Sequence, residues 1–122
     1  MYRTNLYKKA GEKMNPQFKK GVLEICVLVI LEKKDCYGYE LIEKISKHIK
    51  ISEGTIYPLL HKLTTEGFCI TYLQESAEGP SRKYYQLTES GVEYLRKNLI
   101  EWKAFTKSVD TIIELGDEEN HE

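Results

Sequence analysis

Residues 38–63 read GYELIEKISKHIKISEGTIYPLLHKL, two short amphipathic segments around a tight turn. In the second, Ile56, Leu59, Leu60 and Leu63 recur at i, i+3, i+4 and i+7, placing four aliphatic side chains on one helical face that has to be buried. At helical spacing the opposite side carries Gly54, Pro58, His61 and Thr65, flanked by Thr55, Tyr57 and Lys62. These side chains are small, hydroxylated, aromatic or basic. The first segment repeats the design with Leu41, Ile42 and Ile45, and residues 49–51 leave only a turn before Ser52. Such closeness forces a steep crossing, the helix-turn-helix arrangement whose second member fits a DNA major groove.

The flanks extend this unit. Gly67 is placed to stop the second helix. Residues 68–74 predict a strand in which Phe68, Ile70 and Tyr72 alternate with Cys69, Thr71 and Leu73, and residues 75–81 (ESAEGPS) predict a turn. A second strand returns over 82–87 (RKYYQL). A helix-turn-helix followed by a two-stranded hairpin is a winged helix. The expected fold class is mostly α with a small β-hairpin, carrying an additional C-terminal helix. Gly79 and Pro80 suit a narrow wing tip, and Arg82 and Lys83 just after it can reach phosphates or a minor groove. Tyr84 and Tyr85 point to opposite faces, so one packs on the core while the other stays near the wing surface.

Residues 21–31 (GVLEICVLVIL) are apolar almost all round, broken only by Glu24, and need neighbours on every side. Their β-branched content would also suit a buried strand; the context favours a helix. Lys19 and Lys20 before it serve either as a solvated helix start or as phosphate contacts. At the other end Thr88 is an N-cap, with Glu89 in the first turn. Val92, Leu95, Leu99, Trp102, Thr106, Val109 and Ile113 then follow alternating spacings of three and four. No element is left in so short a chain to cover this seam, so it asks for a second copy of itself.

Composition narrows the classes. The 122 residues carry 18 basic and 19 acidic side chains, net −1. Residues 1–13 (MYRTNLYKKAGEK) read as an expression-vector scar ahead of a start at Met14, and residues 116–122 as an acidic, solvating tail. Residues 14–109 hold 14 basic and 12 acidic side chains, a balance that permits nucleic-acid binding without demanding it. Cys26, Cys36 and Cys69 form no CxxC pair, which fits reduced thiols in the cytoplasm and no metal. There is no nucleophile–base constellation, no phosphate loop, and no helix-borne histidine pair, so no enzyme and no cofactor is expected. The organisation expected is a winged helix over 14–87, a dimerisation helix over 88–115 and the tail. The competing reading is a winged helix used for protein–protein contact, its basic wing merely solvated.

YGYEL (37–41), EGTIYPLLHKL (53–63), EGF (66–68) and GPSRKYYQLTESG (79–91), in this order, resemble the PadR family of bacterial transcriptional regulators, in its short form with one C-terminal helix. The resemblance covers about residues 17–110. It implies a dimeric repressor on operator DNA, in several members released by a small aromatic ligand; two-fold symmetry through the C-terminal seam would make that operator palindromic. It assigns DNA contact to Lys20, Ser52, Thr55, Tyr57, Pro58, His61, Arg82 and Lys83. Chemistry supports several of these. Ser52 is a good N-cap residue beside exposed amides that suit a phosphate, Thr55 and Tyr57 offer hydroxyls, and Gly54 admits close backbone approach. Lys62 is a further phosphate contact or a bystander. Trp102 is either an apolar anchor in the seam or one wall of a ligand pocket between subunits. In multidrug-sensing relatives the stacking tryptophan stands one turn later, about where Thr106 falls here.

Overall fold

The computed structural model describes the backbone of residues 16–121 and the side chains of residues 20–118; the suspected scar, Met14 and the Lys19 side chain lie outside these. The elements run α1 (Pro16–Lys33), β1 (Cys36–Tyr37), α2 (Gly38–Ser46), α3 (Glu53–Thr65), β2 (Cys69–Ser76), β3 (Gly79–Leu87) and α4 (Glu89–His121). The ambiguous apolar run is therefore helical. Leu23, Val27, Leu28 and Leu31 of α1 are buried against Leu41 and Ile45 of α2, Ile56, Leu59, Leu60 and Leu63 of α3, and Leu95 of α4. The aliphatic spacing of α3 is thus what seats it, leaving its other face outward.

Not every side of α1 is covered. Ile25, Cys26, Val29 and Ile30 border an open apolar groove that Ile45 and Ile49 complete. Glu24, the one charge in the run, is not wasted: with only 13% of its side chain exposed it accepts the Lys62 ammonium at 3.2 Å and the Tyr94 hydroxyl. One carboxylate on α1 therefore ties α3 to α4.

The wing has three strands, in the order β1-β3-β2, all antiparallel. The expected two-stranded hairpin missed β1, a two-residue strand whose Cys36 and Tyr37 pair with Tyr85 and Tyr84. Its turn is also shorter than expected. Only residues 77–78 form it, and Gly79 and Pro80 already belong to β3. An irregularity between Gln74 and Ser76 absorbs one extra residue of β3, with Ser76 opposite Gly79 but Gln74 opposite Arg82. Pro80 lies beyond the reach of β1, so its missing N–H costs no ladder bond there.

The C-terminus of α3 is fixed to the start of α4. Gly67 takes φ +83°, while the Phe68 N–H donates to the Leu63 carbonyl at 2.9 Å and the Gly67 N–H to Thr64 at 3.1 Å, a Schellman ending. Thr88 Oγ1 donates to that same Gly67 carbonyl at 2.7 Å and accepts the Gly91 N–H at 3.0 Å, as an N-cap should. A Cβ on Gly91 would run into the Phe68 carbonyl and come within 2.7 Å of Leu87. Because one of these neighbours is backbone, Gly91→Ala is expected to cost about 1–3 kcal/mol, read as a lower Tm in thermal unfolding; an unchanged Tm would refute this seam.

α4 is 33 residues long, about 50 Å at helical rise, and does not stop at Leu115 where the acidic tail was expected to begin. Its first half packs on α1, helped by the Arg96 guanidinium on Glu32 at 2.5 and 3.1 Å. Its second half projects. Phe105, Val109, Ile112 and Ile113 are exposed, and at helical spacing they share one side with half-buried Trp102.

Candidate nucleic-acid interface

The outward face of α3 carries the residues expected of it. Gly54, Pro58, His61 and Thr65 are exposed, Tyr57 is 42% exposed, and Thr55 is half-buried at the edge. Ser52 holds the N-cap position with extended backbone, and its carbonyl accepts the Thr55 and Ile56 N–H groups at 3.1 and 3.3 Å. Its hydroxyl makes no capping bond, contrary to the expectation, and lies instead 3.4 Å from Thr55 Oγ1. The first-turn amides thus have no side-chain partner from Ser52. Pro58 has no N–H to donate to the Gly54 carbonyl, so the first turn of the helix lacks that bond. One residue went unweighed in the sequence: Glu53, exposed in the first turn, sets a carboxylate beside the reading face. Its position ahead of Gly54 was the available signal.

Tyr57 owes its position to α2. Its ring lies over Gly38, where an added Cβ would fall 2.8 Å from the Tyr57 hydroxyl oxygen, so any side chain at 38 would displace the ring. The glycine of the YGYEL stretch is therefore a spacer for a residue of the reading helix.

Arg82 and Lys83 are not at the tip. They sit opposite Gln74 and Leu73, well down the hairpin, while the tip carries exposed Glu75 and Glu78. The cause is the short turn, which shifts both residues toward the body of the domain. There they meet α3: Tyr37, Tyr39, Tyr57 and Tyr85 wall a shallow cavity of about 160 Å³ that Arg82 and Lys83 complete, with Gly38 at its base. The Arg82 guanidinium lies 4.6 Å from the centroid of the Tyr37 ring, and Lys83 Nζ 5.8 Å from that of Tyr85. Tyr85 is the core-facing member of the tyrosine pair, 6% exposed, and burial first, then the neighbouring Tyr57 and Cys69, pushes its phenol above the usual value. Tyr84 stays on the outer face, stacked on Tyr72.

Other candidates are placed apart from this cluster. Lys62 points toward α1, where Glu24 already engages its charge. Lys20 is exposed near the start of α1, and Trp102 lies far along α4. Tyr94, against Glu24, is pushed up to about 12, by burial and then by its bond to that carboxylate. Cys69 is raised to about 11 by burial, so its thiol stays protonated near neutrality. Among the described residues no group of three His, Cys, Asp or Glu side chains could hold a metal ion, and no helix is long and apolar enough to cross a membrane.

An outward polar face on the second helix of a helix-turn-helix, beside a cationic wing, defines a winged-helix DNA-binding protein. Residues 27–97 match the model of the transcriptional regulator PadR-like family, and the chain belongs to that family. It is 30% identical over 99 residues to a Lysinibacillus sphaericus protein, covering 78% of this chain and 91% of that one. It is also 30% identical to the negative transcriptional regulator PadR of Bacillus subtilis over 72% of this chain, spanning about half (50%) of that longer protein. A PadR-like transcriptional regulator from Bacillus cereus superposes with a TM-score of 0.73 at 40% identity, over 80% of this chain and 96% of that one. A structure from Streptococcus mutans gives 0.74 at 35%, over 88% and 93%. The protein is accordingly a DNA-binding transcriptional regulator and not an enzyme.

Proposed function

We propose that the protein is a repressor that binds a palindromic operator as a homodimer, reading it with the outward face of α3 and gripping the backbone with the root of the wing. The observation that carries this reading is the shared cavity in which Tyr57 of α3 meets Arg82 and Lys83 of β3. In this arrangement Ser52 at the N-cap and Thr55, Tyr57, Pro58 and His61 of α3 meet the DNA groove, Arg82 and Lys83 neutralise phosphates from the wing, and Lys20 does so separately from the start of α1. Lys62 is a structural tie to Glu24 rather than a contact. The division kept for the chain is a reading domain over 14–87 and a dimerisation helix from Thr88, with exposed Asp117 and Glu118 solvated near its end.

The homodimer is supported by the apolar side of α4 and by the groove along α1, which a second copy would cover together. Residues 1–13 are read as an expression-vector scar. A gel-shift titration with the DNA upstream of the gene tests the assignment: binding near physiological salt that random duplex competes poorly is expected. Binding lost equally to random duplex would favour the competing protein-contact reading, for which exposed Ile70 and Tyr72, on one face of β2, offer an apolar surface.

Release by a small aromatic ligand follows if Trp102, half-buried at the base of the projecting part of α4, forms a wall of a pocket between two subunits. Flat aromatic compounds are then expected to quench Trp102 fluorescence saturably while DNA binding is lost. Quenching by none of a broad panel would leave Trp102 as an interface anchor alone.

A further inference from the structure

The basic residues of the described chain differ in what holds them. Lys62 is taken by Glu24, Arg96 by Glu32, and Lys34 and Lys44 by Glu40. Arg82 has no carboxylate against it among the described residues; it is held by the face of an aromatic ring, Tyr37, at 4.6 Å. The difference matters for a phosphate contact. A guanidinium stacked on a ring keeps its in-plane N–H fork open for two parallel bonds to an anion, whereas one in an ion pair has already used it.

The ring that holds it is itself braced. Tyr37 meets Tyr84 edge to face at 5.4 Å, Tyr84 stacks on Tyr72 at 5.6 Å, and the Tyr72 hydroxyl donates to Asp35 at 2.7 Å. Asp35 also accepts Gln86 Nε2 at 3.2 Å. This ladder crosses all three strands and ends beside its own start, two residues before Tyr37. The two-residue strand β1 exists to deliver this ring: its pairing sets Tyr37 opposite Tyr84, two residues along β3 from Arg82.

We propose that Tyr37 is a positioning residue for Arg82, fixing the guanidinium toward α3 before DNA arrives, so that little of the rotamer freedom of the arginine is left to lose on binding. This rests on the DNA interface proposed above and adds to it a residue that need not touch DNA. A freely rotating arginine would still find the phosphate, but more weakly, because the ordering cost would fall at the moment of binding.

The test is a fluorescence-anisotropy titration of a labelled random-sequence duplex over a range of salt, with wild type, Tyr37→Phe, Tyr37→Leu, Arg82→Ala and the Tyr37→Leu/Arg82→Ala pair. Tyr37→Phe is expected to bind as wild type, since the ring face remains. Tyr37→Leu is expected to lose about three- to fivefold in affinity with its salt slope intact, because the charge is still present. Arg82→Ala is expected to flatten the slope, and adding Tyr37→Leu to it is expected to cost nothing further. Additive losses, or an unaffected Tyr37→Leu, would overturn the proposal while leaving the DNA interface standing. A normal slope in Arg82→Ala, or no duplex binding by wild type, would instead remove the interface and the proposal with it. Should Tyr37→Leu fail to fold, NMR of the wild type and Tyr37→Phe decides. The Arg82 side-chain protons are expected upfield from the ring current in both, and unshifted resonances would overturn the stacking.

Discussion

Replacing Arg82 and Lys83 together by alanine is expected to weaken binding to every duplex sequence alike, and to reduce the steepness of its salt dependence by roughly two for each protomer in contact. The pair faces the junction of wing and reading helix, where a phosphate flanking the groove would lie, and neither residue reaches toward the acidic tip. Each cation that neutralises a phosphate releases about one counterion, so the slope counts contacts. Affinity at about 0.15 M salt should fall roughly ten- to a hundredfold, whereas discrimination between operator and random duplex should hardly change. Substitution of Tyr57 or His61 should do the reverse. A salt slope equal to that of the wild type would take the wing out of the interface.

A larger loss is expected from the far end of the molecule. Val109→Glu combined with Ile113→Glu places two carboxylates on the exposed apolar side of α4, more than 25 residues from the nearest reading residue in the chain. The folded core does not include these positions, and like charges at i and i+4 weaken a helix by only about 0.2–0.5 kcal/mol, so each chain should melt normally. Light scattering should nevertheless give the 14.2 kDa mass of a single chain. Operator binding should then fall about a hundredfold or more, because two half-sites are no longer engaged by one linked particle. A wild-type protein that is itself monomeric at micromolar concentration would end this line of argument.

What was legible in the sequence was whatever had a local signature. The helical spacing of Ile56, Leu59, Leu60 and Leu63 seated the reading helix, Gly67 ended it, and Thr88 opened α4, each from a few neighbouring residues. His61, opposite the buried face, and Tyr57, on its flank, were expected to point outward, and both are exposed. What stayed hidden depended on partners distant in the chain. β1 is two residues long and has no periodicity to read; only its pairing with Tyr84 and Tyr85 makes it a strand. Arg82 and Lys83 were placed just after the wing tip, since Gly79 and Pro80 read as part of a turn over residues 75–81; the irregularity beside Glu75 instead lets Gly79 and Pro80 enter β3 and sets both cations further down the hairpin. Lys62 stands on the flank of its own helix, and only the fold shows that the carboxylate of Glu24, 38 residues earlier, lies 3.2 Å from its ammonium. The role of Gly38 under Tyr57 is likewise invisible until two helices are brought together.

Two copies of this face, each an outward α3 with its cationic wing root, are expected to meet the same side of one duplex. Selection of tight binders from a random-sequence duplex pool, followed by hydroxyl-radical footprinting of the winner, tests it most directly. The expected winner is an inverted repeat whose half-site centres are about 10 bp apart or a multiple of that, protected on one side of the helix. Enrichment of a single unrepeated site, or protection on opposite sides of the duplex, would contradict it.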